Sequence, residues 1–210
     1  MNDEVKIRWL GHSCFRMEYR NGILVTDPYA DGEVPGLAPL RITADAVFCS
    51  HGHGDHNAAE CVTLTGRPLP ADVSAEEYEI PHDHHGGARR GMNIIRQFRF
   101  GALRCVHMGD TGCMPEENIL AALRGCDVLF LPVGGNYTVD AAEAFRIAER
   151  IAPRVVVPMH YRGEDFGYDV IGTVDSFTAL YPAECVKYLD GDGFTLTESE
   201  PRGVIVPKLR

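Results

Sequence analysis

The sequence predicts one compact α/β domain in which two β-sheets are covered by helices. Three observations support this fold class. A chain of 210 residues, 45% of them hydrophobic, is long enough for a sizeable core and short for two domains. Hairpin patterns fill the first half, whereas strands and helices alternate in the second. Because no linker or short-period repeat is visible, we expect residues 1–210 to form a single domain.

The first half has the short, β-prone runs that are typical of strands. Asn21-Gly22 lies between two such runs and predicts a type I′ hairpin turn. Segments rich in glycine and proline predict loops at residues 30–40 and 66–75. The predicted strands are residues 5–10, 14–19, 23–26, 46–49, 93–100 and 103–107.

The second half changes to alternating helices and strands. Asp140 and Glu143 have the spacing of a capping box, which predicts the start of a helix, and Pro153 predicts its end. The predicted helices are residues 115–123, 140–151 and 174–180, and the predicted strands are residues 128–132, 155–159, 185–189 and 194–196. The tail, residues 203–210, either packs on the domain or forms a subunit contact, so a homo-oligomer stays open.

Composition narrows the class of partner. The net charge of −10 and the lack of any basic cluster beyond Arg89-Arg90 disfavour nucleic acid and anionic membrane surfaces. No apolar run approaches the length of a membrane span, and the acidic start is unlike a signal peptide. Seven scattered cysteines without a C-x-x-C pair predict reduced thiols. We therefore expect a cytoplasmic protein with a small-molecule substrate.

Metal-ligand spacing is concentrated in residues 51–56, which read His-Gly-His-Gly-Asp-His and follow an apolar run. In an extended segment, side chains two positions apart project to the same side, so His51 and His53 can bind one cation. Asp55 and His56, beyond the strand end, can reach a second cation. The hexapeptide therefore predicts two metals side by side.

A binuclear centre needs further ligands from elsewhere in the chain. His160 follows the predicted strand 155–159, and Asp110 follows the predicted strand that ends at residue 107. Strand ends that converge on one edge of the sheets can bring such residues together. From spacing alone, His82, His84 and His85 remain alternatives for one ligand position.

A series of short motifs, in a specific order and spacing, carries a family resemblance. They are residues 9–13 (Trp-Leu-Gly-His-Ser), 26–28 (Thr-Asp-Pro), 51–56, 82–83 (His-Asp), 87–93 (Gly-Ala-Arg-Arg-Gly-Met-Asn), 107–110 (His-Met-Gly-Asp), 132–138 (Pro-Val-Gly-Gly-Asn-Tyr-Thr) and 158–161 (Pro-Met-His-Tyr). With them the chain resembles the metallo-β-lactamase superfamily. Within it, the chain is similar to the compact branch of metal-dependent hydrolases that includes L-ascorbate-6-phosphate lactonase and, more distantly, N-acyl-phosphatidylethanolamine phospholipase D.

The resemblance implies an α/β, four-layer αββα sandwich with the metals at one edge. It also assigns the ligands: the first metal to His51, His53 and His82, the second to Asp55, His56 and His160, and the bridge to Asp110. His84 and His85 then become loop residues. The resemblance further places His12, Asp27, Asn93 and His107 around the ligands, where hydrogen bonds to the outer nitrogen of a histidine fix its orientation. An ordinary turn or core role is the alternative for each of these four.

Substrate contacts are assigned to Tyr137 and Arg90, with Arg89 and Arg162 as further candidates on the loops around the pocket. A loop-wedging role for the tyrosine and simple solvation of the arginines are the alternatives. Relatives commonly carry histidine at the end of His-x-Gly-Asp-x-Gly-His, where this chain has Cys113. This difference predicts either an inert buried thiol or a change in substrate or rate.

The expected activity is that of a binuclear metal-dependent hydrolase. Two divalent cations lower the pKa of a shared water toward about 7, which makes a bridging hydroxide the predicted nucleophile. Asp55 could take the released proton. The expected substrate is a small ester, lactone, amide or phosphodiester, and the arginines on the surrounding loops favour an anionic one. Five imidazoles and two carboxylates form a borderline ligand set that suits zinc, manganese or iron. The family resemblance favours zinc, with manganese or iron as alternatives.

Two other functions remain as alternatives. The superfamily scaffold also resembles iron-dependent oxidoreductases, although a full seven-ligand set argues against a mononuclear dioxygenase. A metal-binding or ligand-sensing protein without turnover is the other alternative. No Gly-x-Ser-x-Gly motif supports a serine nucleophile.

Overall fold

The computed structural model describes residues 3–199 and 201–209 and contains fourteen strands and three α-helices within them. The strands are β1 (Glu4–Gly11), β2 (Cys14–Tyr19), β3 (Gly22–Thr26), β4 (Ile42–Ala44), β5 (Ala46–Phe48), β6 (Val62–Leu64), β7 (Val73–Pro81), β8 (Met92–Phe100), β9 (Leu103–His107), β10 (Val128–Pro132), β11 (Val155–Met159), β12 (Val186–Tyr188), β13 (Gly193–Thr197) and β14 (Gly203–Val206). The helices are α1 (Glu117–Leu123), α2 (Ala141–Ile151) and α3 (Asp175–Thr178).

Two large sheets form the centre of the fold. One has five strands in the order β13-β1-β2-β3-β5, and the other has seven in the order β12-β14-β11-β10-β9-β8-β7. Their facing sides are apolar: Phe15 of β2 packs on Phe130 of β10 with ring centroids 4.3 Å apart. Alternation along β1, where every second residue is buried, is the expected pattern for a strand with one face in the core.

The outer layers of the two sheets differ. α2 buries its apolar face and contacts β10, and α1 and α3 both contact α2, so all three helices lie together over the seven-stranded sheet. Over the five-stranded sheet, Val25 instead packs under Tyr29 and under Val34 and Leu40 of the 30–40 loop. In the described part of the chain, this face is covered by that loop, the small β4-β6 sheet and a 3₁₀ turn, Ala59–Cys61.

Most predicted elements are present, with shifted ends. The capping box at the start of α2 is confirmed: Glu143 N donates to Asp140 Oδ1 at 2.9 Å, and Asp140 N donates to Glu143 Oε2 at 3.4 Å. The β2-β3 hairpin is also present, but Tyr19 pairs with Gly22, so the loop begins one residue earlier than predicted. Packing explains the glycine, which lies in β3 and not in the turn. A Cβ on residue 22 would stand 2.4 Å from Pro70, so this strand position needs a residue without a side chain.

Three short or edge elements differ from the sequence prediction. The predicted loop at residues 66–75 gives way at Val73 to β7, an edge strand whose exposed glutamates hide its pattern. β4 and β6 were not predicted either. The C-terminal tail packs: β14 lies between β11 and β12 with Val204 and Ile205 buried. None of the described helices has the length and apolar character needed to cross a membrane.

Candidate metal centre

The residues predicted to bind metal all follow strands at one edge of the two sheets. Residues 51–56 come after β5, His82 after β7, Asp110 after β9 and His160 after β11. β9, β10 and β11 are parallel neighbours, so their carboxyl ends meet at the same edge. The strand order thus brings residues from four separate parts of the chain into one cluster.

One group within the cluster contains His51, His53 and His82. Their ligand atoms lie within 4.8 Å of one another. The ring centroid of His51 lies 4.6 Å from those of both His53 and His82. The extended geometry expected for residues 51–56 is wrong, because bends and turns form this segment, yet His51 and His53 still converge.

A second group contains Asp55, His56 and His160, together with His12. Asp55 Oδ2 lies 3.5 Å from His56 Nε2 and 3.2 Å from His12 Nε2. The rings of His12 and His160 are 4.1 Å apart. His12 was predicted to support a ligand histidine, but its contact is with the carboxylate of Asp55.

Asp110 lies between the two groups. Its Oδ1 is 3.1 Å from His56 Nε2, and its Oδ2 is 3.1 Å from His160 Nε2 and 3.4 Å from His82 Nε2. The Nε2 atom of His51 is 3.9 Å from the same oxygen. Asp110 is therefore within reach of side chains from both groups, which is the position that a shared ligand needs.

The polar atoms at the centre of the cluster lack hydrogen-bond partners among the described residues. The Nε2 atoms of His51, His56 and His160 and the Oδ1 atom of Asp110 are buried and form no well-aligned hydrogen bond, although two of these nitrogens lie 3.1 Å from Asp110 oxygens. Such atoms are costly unless something binds them. Imidazole nitrogens and carboxylate oxygens are ligands for zinc, iron and manganese, so the residues present fit a divalent cation.

Charge within the cluster is strongly coupled. Burial raises the pKa of the Asp110 carboxyl, but His160 and His56 outweigh burial and hold it well below its usual range. For His56, burial lowers the pKa, but Asp110 and Asp27 raise it well above the ordinary value. Burial and the neighbouring His56 lower the pKa of His51 to about 3. The cluster thus contains an ionised Asp110 and a proton on His56, which a cation would displace.

Asp27 and Ser50 fix the orientation of two histidines. His56 Nδ1 donates to Asp27 Oδ2 at 2.8 Å, which directs its Nε2 toward Asp110. Ser50 Oγ donates to the same carboxylate at 2.6 Å and accepts from His51 Nδ1 at 3.0 Å. Each Nδ1 atom therefore carries the proton, and each Nε2 atom can present a lone pair to a cation.

Asn93 and His107 act on the backbone rather than on a ligand ring. Asn93 Oδ1 accepts from the backbone N–H of Asp110 at 2.8 Å, and its Nδ2 donates to Met108 O at 2.8 Å. His107 donates to Ser13 O at 2.9 Å. The other His107 nitrogen, Nδ1, accepts from Gly109 N at 3.1 Å. Neither residue bonds the outer nitrogen of a ligand histidine, which differs from the expected role because backbone groups already occupy both side chains.

Unusual backbone conformations are concentrated at the cluster. His12, Asp27, Asn136 and His160 have positive φ angles of 51°, 42°, 60° and 52°. Non-glycine residues rarely adopt such angles, which cost energy and persist where the surrounding structure imposes them. They turn the chain at strand ends so that ligand and supporting side chains point into the cluster.

A small cavity of about 120 Å³ lies beside the cluster, between residues 83–90 and 136–138. Arg89, Arg90 and Tyr137 line it, together with His84 and His85. The Arg90 guanidinium lies 4.6 Å from the ring centroid of Tyr137. The structure therefore brings the two predicted substrate contacts together, whereas Arg162 lies elsewhere, with its Nε donating to Ile171 O.

Asp83 holds the basic loop in place, a role that sequence reasoning missed. Its carboxylate accepts from four backbone N–H groups, those of His85, Gly87, Arg89 and Arg90, at 2.7–3.0 Å. Burial raises the pKa of this carboxyl, but the four donors outweigh burial and lower it to about 2. An aspartate before the glycine-rich run was the available signal, because such residues commonly bond the backbone of a following turn.

Tyr168 is a second residue to which the sequence assigned no individual role. Its ring meets those of His12 and Tyr137 edge-on, with centroids 5.7 and 5.8 Å apart. Burial and the nearby Asp55 raise the pKa of its hydroxyl.

Cys113, where relatives commonly have histidine, is half-buried, and burial raises the pKa of its thiol. Such a thiol is protonated at neutral pH.

Comparison with known proteins identifies the class. The Beta-lactamase superfamily domain model matches residues 6–160. A UPF0173 metal-dependent hydrolase from Archaeoglobus fulgidus is 30% identical over 193 residues, which cover 75% of this chain and 83% of the relative. The homologue from Thermococcus onnurineus is 30% identical over 191 residues, covering 75% and 84%.

Solved structures show the same fold. A candidate Zn-dependent hydrolase of the metallo-β-lactamase superfamily from Thermotoga maritima has a TM-score of 0.75 and 27% identity, covering 98% of this chain and all of its own. Igni18, a metallo hydrolase from Ignicoccus hospitalis, has a TM-score of 0.69 at 21% identity, covering 92% and 98%. Fold and cluster together define a metal-dependent hydrolase with the metallo-β-lactamase fold. The chain belongs to the β-lactamase superfamily.

Proposed function

We propose that the protein is a binuclear hydrolase in which two divalent cations share Asp110. The observation that carries this proposal is the division of the cluster into two groups of ligand atoms, with Asp110 in reach of both. The first cation is held by His51, His53 and His82. The second is held by Asp55, His56 and His160.

Cations bound there would supply a hydroxide nucleophile at neutral pH and Lewis-acid stabilisation of the oxygens that gain charge. The chain contributes the remaining steps. Asp55, whose pKa is lowered by the His12 hydrogen bond and by His56 despite burial, is an ionised acceptor for the proton released on hydrolysis. Its contact with His12, 3.2 Å long, holds the accepting oxygen in place.

The substrate is a small anionic ester, lactone, amide or phosphodiester. Arg90 and Arg89 supply positive charge beside the centre in a chain whose net charge is −10. The Asp83 carboxylate fixes the loop that carries both arginines, so they need little reordering when an anion binds. Tyr137, half-buried against Arg90, forms the other wall of the cavity.

Zinc is the favoured cation because the similar Thermotoga maritima structure is described as a candidate Zn-dependent hydrolase. Manganese and iron are alternatives because the proposed set of five imidazoles and two carboxylates is borderline in softness. All seven cysteines are free. Reduced thiols are typical of the cytoplasm, which is the location that we propose.

Paired substitutions test the two ligand groups. His51→Ala and His160→Ala should each lower metal content and hydrolysis together, whereas Glu149→Ala on the exposed face of α2 should keep both. Metal content is measured by inductively coupled plasma mass spectrometry, and hydrolysis by a screen of phosphodiesters and lactones. Full metal content and full activity in either ligand variant would contradict the assignment.

Arg90→Ala tests the substrate class. We expect KM for the best anionic substrate to rise about tenfold, since one charge-assisted hydrogen bond contributes roughly 1.5 kcal/mol or more. Arg146→Ala on the exposed side of α2 is the matched control and should leave KM unchanged. An equal change of KM for a neutral ester would argue against an anion contact.

A further inference from the structure

A second cavity opens between the C-terminal segment and the loop after β11. Its volume is about 820 Å³, within the range of small-molecule sites. Most of its wall comes from residues 36–38, 161–166, 173–175, 188–190 and 206–209, and none of the proposed metal ligands lines it. It is therefore separate from the hydrolytic site. Two residues of its wall, Trp9 and Tyr161, lie close in sequence to His12 and His160 of the metal cluster.

Backbone hydrogen bonds hold the walls of this cavity in place. Gly167 N donates to Pro35 O at 2.9 Å, which ties the loop after β11 to the 30–40 loop. Lys208 N donates to Gly191 O at 3.0 Å, which ties the C-terminal segment to the turn before β13. A cavity with fixed walls is largely preformed, so a ligand loses little by ordering them.

Aromatic rings form the floor. Trp9 stacks on Tyr161 with centroids 5.3 Å apart, and Phe166 meets Trp9 edge-on at 5.7 Å. Tyr188, which is 56% exposed, contributes a further ring to the wall. Trp9 and Tyr161 are only 2% and 4% exposed, so the ring surface open to a ligand is mainly that of Phe166 and Tyr188. Such rings accept flat or aliphatic groups, and their faces attract cations.

Carboxylates outnumber cations around the same cavity. Four acidic side chains and two basic ones line it: Glu164, Asp165, Asp175, Asp190, Arg162 and Lys208. None of the four carboxylates forms an ion pair within residues 3–199 and 201–209. The charge of the wall therefore favours a cation over an anion.

The hydroxyl of Tyr161 is a second, independent indication of a ligand. Tyr161 is only 4% exposed and lines the cavity, but its hydroxyl makes no hydrogen bond in the described part of the chain. The oxygen is not one of the fully buried unsatisfied atoms, so it opens to the cavity, where no group of the described residues is its partner. A ligand in the cavity would supply that partner.

We propose that this cavity binds an organic cation, an aromatic primary amine, whose ring packs on the floor and whose ammonium group faces the carboxylates. The ammonium group donates to Tyr161 Oη and is balanced by Asp175 and Asp190. This site goes beyond the proposed hydrolysis and does not depend on it.

The protein contains a single tryptophan, Trp9, in the floor of the cavity, so its fluorescence reports on this site. The experiment titrates phenethylamine into the metal-loaded protein and follows Trp9 emission. We expect saturable binding, with clearly weaker binding of neutral 2-phenylethanol and no saturation by anionic 3-phenylpropionate over the same concentrations. Equal responses to all three compounds would overturn the proposal.

Substitutions in the cavity wall distinguish amine binding at this site from nonspecific attraction of a cation to an acidic protein. The double variant Asp175→Asn/Asp190→Asn should weaken phenethylamine binding about threefold to tenfold, as expected for two exposed charge contacts. Tyr161→Phe, which keeps the ring, should also weaken it. Asp169→Asn, an exposed aspartate outside the cavity, is the control and should bind like the wild type. Unchanged binding in the double variant would contradict the site.

A titration of chelator-treated protein excludes an amine bound at the metal centre. We expect the Trp9 response to persist without metal, because no proposed ligand lines the cavity. Loss of the response together with the metal would assign the amine to the hydrolytic centre and overturn the proposal. Burial of the cavity between two copies of the chain would likewise abolish saturable binding and show as a dimer in sedimentation.

Discussion

Asp27 shows how one buried residue sets the geometry of the centre. Its carboxylate accepts from His56 Nδ1, Ser50 Oγ and Ser50 N at 2.6–2.8 Å. These bonds orient His56 directly and His51 through the serine hydroxyl. Partners of this kind contribute substantially to metal affinity, because they fix both the tautomer and the direction of the ligand ring.

Asp27→Asn should lower metal affinity about tenfold to a hundredfold, the usual effect of losing such a partner. The amide keeps the shape of the carboxyl group but lacks the charge and one acceptor. Affinity is measured by competition with a chromophoric chelator. Asp31→Asn, an exposed aspartate on the neighbouring loop, is the control. Wild-type affinity in Asp27→Asn would show that His56 is oriented by other contacts.

Metal binding should release a proton from His56. Burial lowers its pKa, but Asp110 and Asp27 raise it well above the ordinary value, so the ion-free imidazole is charged at neutral pH. A cation must displace this proton, and metal affinity therefore rises with pH. Calorimetric titrations in buffers of different ionisation enthalpy measure the number of protons released. Release of none at pH 7 would contradict a charged His56.

Some of these residues could be predicted from the sequence and others could not. His51 to His56 form a local pattern, and their types alone indicate metal binding. Asp83 could not be identified in the same way, because its function depends on four backbone groups that come together only when the following loop folds around it. Tyr168 is likewise defined by rings from distant segments.

At the scale of elements, strong local signals were sufficient for long elements but not for short or edge ones. α2 has a capping box and an apolar stripe, and it was predicted to within one residue. β7 was missed because five of its nine residues are exposed, three of them glutamates. β14 was left open because a four-residue strand becomes a strand only through pairing with β11 and β12.

The capping box of α2 should stabilise both the helix and the loop before it. Asp140→Ala removes the side-chain acceptor for Glu143 N and should lower the free energy of unfolding by about 1 kcal/mol. Urea unfolding measures the change. Glu149→Ala, an exposed substitution in the same helix, is the control and should differ little from wild type. Equal stability of both variants would show that packing alone positions α2.

At the scale of the whole molecule, the centre is a product of strand order. β5 of one sheet and β7, β9 and β11 of the other end at the same edge, and the loops after them carry the seven proposed ligands. The order of β9, β10 and β11 could be expected from alternating strands and helices. The convergence of both sheets on one edge was implied by the family resemblance and not by local pattern.

The central claim is that the cluster holds two cations that share Asp110. Counting metal ions per chain in purified, untagged protein by inductively coupled plasma mass spectrometry, alongside Asp110→Ala, tests it most directly. The account predicts close to two divalent ions per chain in the wild type and a marked loss of both in the variant. One ion per chain, or none after reconstitution with zinc, manganese or iron, would contradict it.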